Sequence, residues 1–206
     1  MLDSTLDEAT EEALWATVIP PKLPDLVSNV ANPFVIFTAL YAVVALVYSG
    51  TPAAVLVYIV PELLAAALVA GYVLWMRRRR KVEDFWLSTR TERFVPAVVL
   101  LGSFIGLLAC LLISGAPPEV FRLTLSMGFA AALVAALTLF WKASAHSAVA
   151  GHAAVAGIIL LGGFGLPFAL ALPMVLWSRV VLKAHTLAQA LAGAALGGAF
   201  AAIFLV

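Results

Sequence analysis

The sequence is poor in charge, in cysteine and in histidine. Asp, Glu, Lys and Arg together make up 11% of its 206 residues, against about 25% in an ordinary soluble domain. So few ionic groups cannot cover a water-facing surface of the usual size. The one cysteine, Cys110, lies inside an apolar run, which excludes an internal disulfide and a thiolate metal cluster. Neither sign of charge dominates. The net charge is +1, so no global field recruits nucleic acid, and no nucleic-acid motif occurs. The opening residues, M-L-D-S-T-L-D-E-A-T-E-E, are acidic and lack the basic region and apolar core of a secretory signal.

What the chain does have is apolar surface, at 64% of its residues. That profile predicts an all-α, polytopic membrane helix bundle of about six to seven transmembrane helices in contact with the lipid bilayer. Residues 1–27 read as an interfacial segment. In it Leu2, Leu6, Ala13, Leu14 and Val18 recur at helical spacing, Thr5 and Glu8 form a capping box, and Pro20, Pro21 and Pro24 end the helix. Residues 28–206 form a single transmembrane domain. Its expected spans are 30–48, 53–76, 95–114, 120–141, 147–163, 167–177 and 186–206, most of them near the ~20 residues a bilayer core requires. The break Gly162-Gly163-Phe164-Gly165-Leu166-Pro167 separates two short helices rather than interrupting one long one. Pro61 and Glu62 interrupt the second span. A carboxylate at that depth costs roughly 2.5–3.5 kcal/mol unless protonated or paired. Glu62 is read as hydrogen-bonded inside the bundle, the alternative being a place near a substrate headgroup.

Seven spans return three polar clusters to one membrane face: the loop 77–94, the segment 142–146 and the segment 178–185. Eleven of the twelve Lys and Arg residues fall on that face, Arg122 being the exception. The positive-inside rule then puts it, with the N-terminus, in the cytoplasm, at a plasma or bacterial-type inner membrane. The run Arg77–Lys81 reads as an anchor to anionic lipid, worth about 1 kcal/mol per charge. Ala153, Gly157, Ala190, Gly193, Ala194 and Gly197 allow helices to approach closely. His152, six residues after His146 and about 120° around the helix, reads as a packing residue.

Convergence would bring together Arg90, Arg93, Lys142, Ser144, His146, Ser178, Arg179 and His185. Guanidinium, ammonium and hydroxyl groups suit a phosphate headgroup. Two histidines can divide a phosphoryl transfer, one attacking phosphorus and the other protonating the leaving oxygen. Cationic side chains holding the equatorial oxygens make a metal or other cofactor unnecessary. Gln189, placed one turn after His185 on an expected common helix face, could orient that ring.

The pattern Ser178-Arg179, five residues, His185, three residues and a polar group resembles the third motif, S-R-x5-H-x3-D, of the type 2 phosphatidic acid phosphatase superfamily. Gly193 matches the glycine that commonly follows. Ala143-Ser144-Ala145-His146 is similar to that family's second motif, P-S-G-H, in its Ser and His. Arg90-Thr-Glu-Arg93-Phe-Val-Pro96 supplies basic residues before a proline, where the first motif reads K-x6-R-P at a different spacing. The resemblance covers roughly residues 84–197. It implies a metal-independent lipid phosphatase with His185 as nucleophile and His146 as general acid. Arg179, Ser144, Ser178 and Arg90 or Arg93 would hold the phosphate, with Lys142 added by position. Its substrate would be a lipid phosphate such as phosphatidate, phosphatidylglycerophosphate or a polyprenyl phosphate or diphosphate. Gln189 stands where the family has Asp, so an imidazolium at His185 loses an anionic partner. Either Glu62, Asp84 or Glu92 substitutes, or the enzyme is slow, or the chain is a lipid-binding or assembly protein on the same scaffold.

The sidedness is open to a direct check. A cysteine placed at Ser88 is expected to resist membrane-impermeant thiol reagents in intact cells, and its modification from outside would overturn the cytoplasmic assignment.

Overall fold

The structure, a computed structural model, describes residues 22–83, 89, 92–138 and 140–206. The interfacial helix expected before residue 22, together with Asp84 and Arg90, lies outside the described residues. Among the described residues eight α-helices follow one another: α1 (Leu23–Val30), α2 (Pro33–Ser49), α3 (Pro52–Arg78), α4 (Phe94–Ile113), α5 (Pro118–Leu137), α6 (Ala145–Leu161), α7 (Leu166–Val181) and α8 (Leu187–Leu205). A short 3-10 turn, Gly162–Gly165, joins α6 to α7, and no strand occurs among the described residues. Each of the seven segments expected to cross the membrane is a helix, with bounds displaced by a few residues at most.

The helix starts are written locally. Asn32, Thr51, Ser144 and Thr186 occupy N-cap positions and accept the amides of Val35, Ala54, Ser147 and Gln189, satisfying donors that the first turn leaves open. Pro24, expected to help end a helix, instead sits in the first turn of α1. The missing N–H costs nothing there, so α1 crosses the expected domain boundary at residue 27. At the other ends, Arg80 and Lys183 take left-handed φ values of 53° and 52°. Lys81 N–H reaches Met76 O, and Ala184 N–H reaches Arg179 O, closing α3 and α7 with Schellman-type caps.

Among the described residues five helical runs are long and apolar enough to cross a membrane, or six if α1 and α2, bent by 45°, form one span. The protein is an integral membrane protein. One of the five runs, Ala145–Val181, is folded back on itself. Gly162 turns the chain at φ 57° and ψ −127°, a conformation open to glycine, and Gly165 then packs directly on the Gly157 backbone. Its two limbs, α6 and α7, are antiparallel and each about 25 Å long. Many large apolar side chains, among them Leu64, Ile105, Leu112, Leu170 and Ile203, are exposed on the outer faces, where lipid rather than water is their solvent.

Helix α6 is the hub, packing on α8, α7, α2 and α5. It is rich in Ala, with two Gly, and is buried on nearly all sides. A Cβ added at Gly193 would meet the Ser144 carbonyl, and one at Gly197 would meet the Ala148 carbonyl. Backbone therefore lies on backbone along the α6–α8 seam, as small-residue packing in membranes allows. Polar groups tie the hub to its neighbours. His152 is wholly buried with Nε2 2.7 Å from Ser126 Oγ of α5, and Tyr48 of α2 donates to Leu160 O at 2.9 Å.

Gly197→Leu places a side chain where the Ala148 backbone stands and is expected to destabilise the fold by about 3 kcal/mol. Thermal unfolding in detergent, compared with the lipid-facing control Leu64→Ala, measures the difference.

Candidate functional site

A cavity of about 300 Å³ lies inside the ring formed by α2, α3, α4, α5 and the start of α6. Its wall on α4 runs from Arg93 to Leu107, a length of about 20 Å. Most of the lining is apolar, including Phe37, Val69, Leu100, Phe104, Met127 and Val134. Arg93, His146, Arg179 and His185 line it at the end where α4 and α6 begin and α7 ends. Four residues spread over 93 positions of sequence thus share one wall.

Each is placed by a local device. Arg93 is the residue before the first turn of α4. His146 is second in α6, behind the Ser144 cap, and the Ser144 N–H donates to the Gln189 carbonyl at 3.3 Å, so α8 registers the start of α6. Arg179 lies in the last turn of α7, 8% exposed. Its Nη1 donates to Ser28 Oγ of α1 at 2.6 Å, while its Nε has no hydrogen-bond partner among the described residues. The Arg179 carbonyl accepts the N–H groups of both Ala184 and His185, each at 3.2 Å. The C-cap of α7 therefore sets the distance between Arg179 and His185.

His185 Nδ1 lies 3.2 Å from the Lys142 carbonyl. A carbonyl oxygen only accepts, so Nδ1 carries the hydrogen and Nε2 keeps its lone pair. Burial pushes the imidazole from its ordinary 6.5 down to about 4, and the cations of Arg179, Lys142 and Arg93 push the same way against the opposing Lys142 carbonyl. His185 is neutral at physiological pH.

The other expected residues stand elsewhere. His185 precedes α8, so it does not share a helix face with Gln189 as its spacing suggested. Gln189 Oε1 accepts Thr186 N–H at 3.1 Å, and Gln189 N–H donates to Thr186 Oγ1 at 3.3 Å. These form a reciprocal capping box. The signal was in the sequence as Thr186-x-x-Gln189, and the competing i,i+4 reading fails because the helix starts after the histidine. Ser144 Oγ accepts from Ser147, and Ser178 Oγ donates to Val175 O. Neither these hydroxyls nor the Lys142 side chain belongs to the cavity wall; Lys142 acts through its backbone. Both Glu92 carboxyl oxygens face Glu83 N–H. Glu62 accepts from Thr38 at 2.7 Å, as expected of a group hydrogen-bonded in the bundle, and it also lines the cavity. Ser28 and the Lys142 carbonyl carry no sequence signal, because each is defined by a contact between distant segments.

The resulting arrangement sets two guanidinium groups beside a neutral imidazole with an open Nε2 and a second imidazole, a set whose chemistry suits an anion. The His185 titration should centre near pH 4 by NMR, and Arg179→Met should raise it by removing a nearby cation. The folded-state value lies below the ordinary one, so the unfolded chain binds more protons between pH 6.5 and about 4. The His185 contribution to stability is complete above that window and is lost as pH falls through it. Denaturant midpoints across the window, compared with those of His185→Ala, check the sign. Against protein-family models, curated proteins and solved structures, nothing matches this chain.

Proposed function

We propose that the protein is an integral-membrane phosphatase or phosphotransferase acting on a lipid phosphate. The observation that carries this reading is the meeting of Arg93, Arg179, His146 and His185 at one end of an otherwise apolar cavity. Phosphate and acyl or prenyl chain have opposite solvation needs, and such a cavity meets both. The substrates this favours are phosphatidate, phosphatidylglycerophosphate and polyprenyl phosphate or diphosphate, presented from the cytoplasmic side of a plasma membrane.

In this mechanism Arg93 and Arg179 hold the non-bridging phosphate oxygens and neutralise charge as it develops. Nε2 of neutral His185 attacks phosphorus while Nδ1–H remains on the Lys142 carbonyl. The bond from phosphorus to the leaving oxygen breaks, and His146 relays the proton of the bound phosphate monoanion to that oxygen. A water then attacks the phosphohistidine and gives its proton to His146. The P–N bond breaks, releasing phosphate and neutral His185. Transfer to a lipid hydroxyl in place of water is the phosphotransferase variant.

One observation favours a second reading. The partner of His185 Nδ1 is a neutral carbonyl, which orients the ring but stabilises an imidazolium less than a carboxylate would. A lipid-binding or assembly protein that holds the phosphate without turning it over has the same requirements for Arg93 and Arg179.

The purified protein in detergent is expected to release phosphate from at least one of these lipids without added metal. His185→Ala should lower the rate about 10³-fold or more, and His146→Ala about 10²–10⁴-fold. Gln189→Ala should cost only helix stability, about 1 kcal/mol. Wild type no faster than His185→Ala on every substrate leaves the binding reading.

A further inference from the structure

The cavity has a second polar end. Glu62 lines the cavity and is 3% exposed, and its Oε2 is buried with no hydrogen-bond partner among the described residues. Such an orphaned buried oxygen calls for an explanation, and a carboxyl group within a spanning helix is costly to keep without a use. Ser103 on α4 lines the same cavity. Glu62 lies ten residues from the start of α3 and Ser103 ten from the end of the antiparallel α4, so both sit at a similar depth, about 15 Å in from one end of the bundle. On α4, Ser103 is also about 15 Å from Arg93.

The hydroxyl hydrogens of Thr38 and Ser103 are already committed. Thr38 Oγ1 donates to Glu62 Oε1 at 2.7 Å, and Ser103 Oγ donates to Val99 O at 2.8 Å. As a carboxylate, Glu62 keeps Oε2 as an acceptor without a partner, and Ser103 Oγ keeps its lone pairs, both on residues that line the cavity. A plain hydrocarbon chain would leave them unsatisfied, at a cost that a donor on the ligand would remove.

We infer that Glu62, held by Thr38 and with Ser103 at a similar depth on the same cavity, is a subsite for a hydrogen-bond donor, a hydroxyl or an amine, carried on the ligand's apolar chain about 15 Å from its anionic head. The ligand class is thus a two-ended amphiphile: anion at Arg93 and Arg179, apolar spacer along α4 and α5, donor at Glu62. The inference rests on the anion-site reading above and deepens it.

The test is binding of three probes to the detergent-solubilised full chain: dodecyl phosphate, ω-hydroxydodecyl phosphate and ω-aminododecyl phosphate. Wild type should bind at least one donor-bearing probe about tenfold more tightly than dodecyl phosphate, a modest gain for one buried hydrogen bond. Which one it prefers distinguishes hydroxyl from amine. Glu62→Leu should keep its affinity for dodecyl phosphate and lose the preference. Glu62→Gln, closer in shape, serves should Glu62→Leu fail to fold; it should lose any preference for the amine. Equal affinity of wild type for all three probes overturns the subsite and leaves the anion site standing, as does a preference that survives both substitutions. Absence of binding to any probe overturns both. Preferential binding without hydrolysis supports the subsite and counts against the phosphatase reading.

Discussion

Contact of backbone with backbone between α6 and α8 is the constraint on which the rest of the structure depends. In a bilayer, lipid tails are as apolar as leucine, so helices gain little from hiding hydrocarbon and associate through close packing and hydrogen bonds. Gly193 and Gly197 lie against the Ser144 and Ala148 carbonyls, and that proximity lets the Ser144 amide reach the Gln189 carbonyl. The same approach brings the Lys142 carbonyl to His185. The small residues that look like mere packing in the sequence therefore orient an imidazole. A side chain at this seam would move the ring and the hub helix together.

Polar groups in the bundle obtain partners from the main chain and from hydroxyls. His185 is held by a carbonyl, Arg179 by Ser28, Glu62 by Thr38 and His152 by Ser126. Neutral partners orient a group without cancelling its charge or filling all of its hydrogen-bonding positions. Arg179 Nε and Glu62 Oε2 are accordingly left without partners among the described residues, and both residues line the cavity. A bundle built only for stability has no reason to leave a donor at one end and an acceptor further in.

The position of α1 adds a physical link between the start of the described residues and the site. This short helix, bent by 45° from α2, packs on α7 and lends Ser28 to Arg179 across 151 positions of sequence. The guanidinium that lines the cavity is thus steadied by the first helix described, although the motif containing it lies near the other end of the chain.

The sequence by itself determined the class of protein and the order of its helices, because both rest on local quantities. Apolar run length sets where a span lies, caps and prolines set where it starts, and the Gly162–Gly165 break was legible as a fold-back between α6 and α7. The S-R-x5-H spacing was legible too, since the C-cap of α7 turns it directly into a fixed separation of Arg179 and His185. Gln189 was misplaced by one register: the capping box and the i,i+4 pair compete for the same residue, and only the start of α8 decides between them. Tertiary structure alone decided which groups share the cavity, that a Lys142 carbonyl orients His185, and that Glu62 faces the same space as Arg179. Those facts depend on how closely and at what depth helices far apart in sequence pack, and no local pattern of residues encodes either.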